Sequence, residues 1–220
     1  MRSKEKDMKS TADGNPMRMA LIVLIFLLAV VQGAWGGEPL ELIRSSTDRF
    51  LEILKDPQLK QQPEIRDQKL WEIVTERFDF EEMARRSLAL HWRKRTSQER
   101  KEFVDLFSHL LHKSYVSKLE NYTDEKVECL EDVIRGNRAL VKTRILSKGT
   151  EIHIDYKMMK KPNGWKIYDV IIEGVSLVNN YRNQFHRIVT SKGYEELIKR
   201  MRTKWEELIK ETEIEAKKKT

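Results

Sequence analysis

The chain has a single cysteine, Cys129, which excludes an internal disulfide, a cluster of thiolate metal ligands and a dithiol redox centre. No cysteine follows its one apolar run either, so the acceptor for bacterial lipoprotein anchoring is missing. Glycine and proline are sparse, nine and five in 220 residues, which rules out collagen-like or proline-rich architectures. No apolar run reaches the about 20 residues that a membrane-spanning helix needs. A nucleophile elbow, a phosphate loop and paired cysteines are absent too, and with them the motifs that mark common enzyme classes. Stability must come from an ordinary hydrophobic core. With 40% hydrophobic and 35% charged residues, the chain suits one folded domain and not a disordered one.

What is present begins with a targeting signal. Met17, Arg18 and Met19 lead into an unbroken apolar run from Ala20 to Val31, followed by Gln32-Gly33-Ala34-Trp35-Gly36-Gly37. The run has the length of a signal-peptide core, about 7 to 15 residues, and is short for a membrane anchor. Ala34 and Gly36 are the small residues that a signal peptidase reads. The expectation is a signal peptide over residues 1–36, cut after Gly36, with translation starting at Met1 or Met17, and a soluble periplasmic domain over residues 37–220. Five basic and three acidic residues lie before residue 37, leaving 37 basic against 32 acidic beyond it. Such a modest positive balance suits anionic lipid headgroups by general attraction. Export and the scattering of basic residues among acidic ones disfavour nucleic-acid binding.

From Pro39 to about Tyr122 the pattern is helical, punctuated by Pro57 and Pro63. Leu40, Ile43, Thr47, Phe50, Leu51 and Leu54 recur at three- and four-residue spacings, as do Leu70, Ile73, Val74 and Phe78. A short helix is expected over Phe80 to Leu90. Thr96-Ser97 starts another, although Ser97 and Arg100 make only half a capping box. Phe103, Phe107, Leu111, Tyr115, Leu119 and Tyr122 form its stripe.

Beyond Tyr122 the period changes to two and four strands are expected. Lys126 to Ile134 ends at Gly136-Asn137, and Arg138 to Ser147 carries Ala139, Val141, Thr143 and Ile145 on one face. After Lys148-Gly149, Ile152, Ile154, Tyr156 and Met158 alternate with His153, Asp155 and Lys157. Pro162-Asn163-Gly164 turns into Trp165 to Ile172, which is apolar on both faces. Such short turns imply an antiparallel meander. A helix then starts at Ser176, and a last one runs from Tyr194 to about Ala216.

The stretch Gly-Trp-Lys-Ile-Tyr-Asp-Val-Ile-Ile-Glu-Gly-Val-Ser-Leu-Val-Asn-Asn-Tyr-Arg-Asn-Gln-Phe, from Gly164 to Phe185, closely resembles the MlaC family of periplasmic phospholipid-binding proteins, also called the toluene-tolerance family. The likeness extends to Phe78-Asp79-Phe80, Met83-Ala84-Arg85, His91-Trp92-Arg93, Arg100 to Phe107 and Tyr115, and covers about residues 38 to 205. Where the family usually has a glycine before the His-Trp segment, this chain has Leu88-Ala89-Leu90. The resemblance implies an α+β fold, a four-stranded curved antiparallel sheet packed with helices around an apolar lipid pocket. It also implies a monomeric carrier in the lipid-asymmetry system, whose partners are phospholipid, an inner-membrane ATP-driven transporter complex and an outer-membrane lipoprotein complex. A carrier needs no cofactor, nucleotide, metal or catalytic group.

Inward candidates for such a pocket are Val141, Ile145, Ile154, Tyr156, Trp165, Ile167 and Ile171 from the sheet. Helices and their approaches add Phe107, Leu111, Tyr115, Val175, Val178 and Tyr181. The alternatives are another apolar cargo such as a hopanoid, or a small enzyme on a cone-shaped α+β fold, which would need a polar pocket floor. His109 and His112 stand close enough for a metal but lack further ligands at diagnostic spacing, and read as solvated or packed side chains. His153 and Asp155 read as a solvent-facing strand surface. Asp169 shares the face of Trp165, Ile167 and Ile171 and reads as a buried acid with a structural hydrogen bond.

Overall fold

The computed structural model describes residues 37–116, 126–147 and 149–218. Residues 1–36, where a signal peptide is expected, and Leu119, Tyr122 and Lys148 lie outside the described residues.

Helix α1 (Glu38–Lys55) presents its apolar stripe inward and ends at Asp56, whose carboxylate accepts from Gln58 N and Leu59 N to cap the short α2 (Pro57–Lys60). Pro57 and Pro63 both sit in first turns, where a missing N–H costs nothing, and Pro63 opens α3 (Pro63–Arg77). Asp79 caps α4 (Phe80–Leu88). This helix is stopped by Ala89, which takes φ 48° in the region that favours glycine. A 3-10 stretch (Ala89–Lys94) leads to α5 (Ser97–Leu111). Its cap is Thr96 and not Ser97: Thr96 and Glu99 form a complete capping box. A π-helical turn (His112–Val116) continues α5.

The sheet follows as β1 (Lys126–Arg135), β2 (Arg138–Ser147), β3 (Thr150–Lys161), β4 (Gly164–Ile172) and β5 (Val175–Ser176), in that spatial order and antiparallel throughout. It is an open meander of five strands, not four. The fifth is a two-residue strand behind a tight turn in which Glu173 and Gly174 both have positive φ, the backbone of a two-residue hairpin. Ser176 then caps α6 (Leu177–Lys192), and α7 (Tyr194–Lys218) closes the chain.

Two β-bulges set which residues face inward. Between β1 and β2 the register shifts at Leu130, so that Cys129 opposes Thr143 but Asp132 opposes Val141. Between β3 and β4 it shifts at Tyr168, so that Ile167 opposes Met158 while Asp169 opposes Lys157. An extra residue reverses the alternation beyond it. Val170 and Ile172 therefore take the inward face that Asp169 and Ile171 would otherwise hold. Tyr168, the inserted residue, lies under the Arg86 guanidinium at 4.3 Å.

Helices α4, α5, α6 and α7 share one core built on Phe103, Phe107, Phe185, Met83 and Leu197, with edge-to-face ring contacts between Phe103 and Phe185 and between Phe107 and Tyr181. A second core fills one end of the sheet's inner face, where Leu40 and Ile43 of α1 pack on Ala139, Val141, Met158 and Trp165.

Candidate functional site

Along that inner face the packing changes from filled to hollow. The cross-strand pairs Ala139–Met158 and Val141–Tyr156 lie under the start of α1, whereas the next pairs, Thr143–Ile154 and Ile145–Ile152, extend toward Val127 on β1 and Ile172 on β4. Here the sheet floors a cavity of about 410 Å³, within the range of small-molecule sites. Val127, Ile145, Ile152, Ile154, Val170 and Ile172 form its floor. Ile43, Phe50, Leu51 and Leu54 of α1 and Ile73 and Val74 of α3 form one wall, and Phe78, Phe80, Met83, Leu111, Tyr115 and Leu177 complete it.

Few side chains on the wall are polar, and the buried Nδ1 of one of them, His112, has no hydrogen-bond partner. Arg77 Nε donates to Ser46 Oγ at 2.6 Å, Ser46 Oγ donates to Leu42 O at 2.7 Å, and Arg77 also pairs with Glu76 at 3.0 Å. The His112 Nε2 lies 2.8 Å from Asp67, which also accepts from Lys113 at 2.7 Å. Burial pushes the Asp67 carboxyl up, but hydrogen bonds and charge from His112 and Lys113 outweigh it and hold the group down at about 2. The His112 ring meets Trp71 edge-on at 4.6 Å between centroids, and the His109 ring lies tilted against Trp71 and edge-on to Trp205, so both histidines pack against aromatic rings. Among the described residues no three His, Cys, Asp or Glu side chains are grouped to hold a metal. Burial drives the Tyr156 phenol up to about 12, which keeps its hydroxyl neutral, and Thr143 Oγ1 is satisfied by Ile154 O at 2.8 Å. Chemically the cavity offers mainly apolar surface, with Arg77 and His112 as its strongest polar groups.

Six of the sequence candidates line it: Leu111, Tyr115, Ile145, Ile154, Tyr156 and Ile167. The structure places the others elsewhere. Phe107, Val178 and Tyr181 belong to the helical core, and Val141 and Trp165 to the filled end of the sheet, where Trp165 Nε1 donates to Glu38 at 3.1 Å. Ile171 is turned away by the Tyr168 bulge, and Val175 is exposed on β5. Asp169 is buried, accepting from Ser176 Oγ at 2.7 Å and from Val178 N at 3.1 Å, so it locks β4 to the start of α6. Glu82 is a second buried acid, with Arg85 and Arg86 on its carboxylate. The largest group that sequence reasoning left out of the site is the α1 and α3 wall. Its signal was the stripe Ile43, Thr47, Phe50, Leu51, Leu54 along the five turns of α1.

Comparison with known proteins agrees with this architecture. A phospholipid-binding protein from Ralstonia solanacearum, solved with a phospholipid bound, superimposes with a TM-score of 0.70, covering 77% of this chain and 97% of that one at 24% identity, and so shares the fold. The intermembrane phospholipid transport system binding protein MlaC of Haemophilus influenzae is 22% identical over 120 residues, 52% of this chain and 56% of the relative, so the chain spans about half the length of this curated relative. Among the described residues no helix is long and apolar enough to cross a membrane. The family model described as MlaC protein matches residues 44–203, from within α1 into α7, and by that match the chain belongs to the MlaC family.

Proposed function

We propose that the protein is a carrier that shelters phospholipid acyl chains in the cavity between α1, α3 and the sheet, leaving the headgroup outside. The observation that carries this reading is the 410 Å³ cavity, lined mainly by apolar side chains of α1, α3 and the sheet. Exposing a methylene to water costs roughly 0.8 kcal/mol, so a sixteen-carbon chain costs on the order of 13 kcal/mol and rarely crosses water alone. A lined cavity removes that barrier without a cofactor, a nucleotide or a catalytic residue. Membership of the MlaC family and the bound phospholipid in the Ralstonia relative support the same reading. On this reading residues 1–36 direct export and are removed, and the domain works in the periplasm as a non-enzymatic shuttle. Its partners are an inner-membrane ATP-driven transporter complex and an outer-membrane lipoprotein complex, which drive loading and release.

Purification without detergent, followed by organic extraction and mass spectrometry, tests the proposal. Phospholipid should be recovered near stoichiometry, and vesicle assays should show transfer of intact lipid. Folded, natively expressed protein that yields no lipid would overturn it, and lysolipid product would point to an enzyme.

A further inference from the structure

The first residues of α1 are held by a carboxylate from a strand far along the chain. Asp132 Oδ1 accepts from Gly37 N at 3.1 Å and its Oδ2 from Leu40 N at 3.4 Å, across 95 and 92 residues. The bulge at Leu130 is what brings it there, because it rotates Asp132 onto the inner face opposite Val141. An acid on the inner face of an edge strand is costly unless partnered. Gly37 is also the residue that fits: a Cβ there would stand 2.4 Å from Asp132 Oδ2 and 2.7 Å from Ile134 Cδ1, so any side chain displaces the carboxylate. The next residues are anchored as well, Glu38 by Trp165 Nε1 and Pro39 and Leu40 by burial.

Independently of this geometry, Ala34 and Gly36 mark the bond between Gly36 and Gly37 as the peptidase cut, which would make the Gly37 nitrogen the new amino terminus. We propose that Asp132 is the receptor for that terminus: hydrolysis of the Gly36–Gly37 peptide bond turns the Gly37 amide into an ammonium that forms an ion pair with Asp132. The inference rests on the proposed removal of residues 1–36. Before the cut one neutral N–H faces the carboxylate, and after it a charged group with three hydrogens does. Because α1 carries one wall of the cavity, processing also firms that wall. Other charges on the elements packed here include Glu38 and Glu41 of α1, Arg44 paired with Glu41, Glu131 and Arg135 of β1, and Lys160 of β3, which lies 3.9 Å from Glu38.

The sign of the pH dependence follows. An ion pair raises the folded-state pKa of the amine above its ordinary 7.7–8.0, so its stabilisation is complete below about pH 7.5 and disappears as pH rises through the raised value. The test compares two chains, one beginning at Gly37 and one at Gly36, each checked by intact mass. Both are practical because Gly36–Thr220 forms one compact unit. The Gly37 chain should melt about 2–4 °C above the Gly36 chain at pH 7, with the gap closing by about pH 10. In the Asp132→Asn background the gap should be absent at every pH. Equal melting at pH 7, or a gap that persists at pH 10 or in Asp132→Asn, overturns the ion pair. N-terminal sequencing of the exported full-length chain tests the processing half separately, since a terminus other than Gly37 would refute the junction while leaving the two-chain comparison intact.

Discussion

Adjacent residues Ile171 and Ile172 make a sharp test of the cavity, because the Tyr168 bulge alone decides which of them faces it. In Ile172→Asp the new carboxylate projects from the cavity floor. With an ordinary pKa near 3.9 it is ionised and hydrated at pH 7, and an acyl chain laid beside it must strip that water or force a proton on. Protonation across about 3 pH units costs about 4 kcal/mol at 1.36 kcal/mol per unit, a loss of about a thousandfold in lipid affinity. Since that cost is proton uptake, affinity should recover about tenfold for each unit of pH lowered between 7 and 4. Ile171→Asp places the same group on the opposite face, across from Asp155, where like charges cost roughly 0.5 kcal/mol of stability but leave the cavity unchanged. The assay is lipid retained per folded protein and vesicle-to-vesicle transfer, with circular dichroism and a melt on each variant. Equal lipid loss in the two folded variants, or loss in Ile171→Asp alone, would refute the reasoning.

Ala89→Gly should stabilise the protein: relief of a left-handed alanine is worth about 1–2 kcal/mol, greater unfolded-chain entropy takes back about 0.4–1, and the melting temperature should rise by about 2 °C. Asp67→Asn should lower stability by roughly 2 kcal/mol near neutral pH, because a carboxyl held at about 2 contributes fully above its unfolded value of 3.8. The difference between Asp67→Asn and the parent should shrink as pH falls from about 4 to 2, as followed by melts at each pH. Asp169→Ala strips the acceptor from Ser176 Oγ and Val178 N at the start of α6 and should cost about 1–3 kcal/mol in denaturant titrations.

The helices and the first four strands were legible because amphipathic period and turn residues mark them directly. Ile152, Ile154, Tyr156 and Met158 alternate so cleanly with polar neighbours that only one face could be inward. β4 gave no such guide. Trp165 to Ile172 is apolar on both sides, so a one-residue slip leaves no mismatch in the pattern, and Ile171 took the place that belongs to Ile172. The fifth strand was hidden for another reason: two residues are too few to show a period, and Glu173-Gly174 is a weaker turn signal than Asn-Gly. The cavity itself belongs to a different class of property. Phe107 and Ile145 are equally apolar in sequence, and whether such a side chain meets another side chain or an unfilled volume depends on how far α1 and α3 stand from the sheet. The complete capping box at Thr96 and Glu99, in contrast, was open to view at the expected spacing of three.

The separation in sequence between α1 and the strands it covers has a kinetic consequence. Each hairpin of the meander joins neighbours through a tight turn, and such units close in about 1–10 μs, whereas α1 reaches Asp132 across 95 residues and Glu38 reaches Trp165 across 127. A helix synthesised first is thus the last to find its place, with its apolar stripe waiting for a sheet that does not yet exist. Contacts made that late contribute little to the folding transition state and mainly slow unfolding. Substitutions at the α1–sheet junction should therefore shorten the lifetime of the folded protein while hardly changing how fast it folds. The wall nearest the proposed cargo would then be the part of the molecule most readily undone.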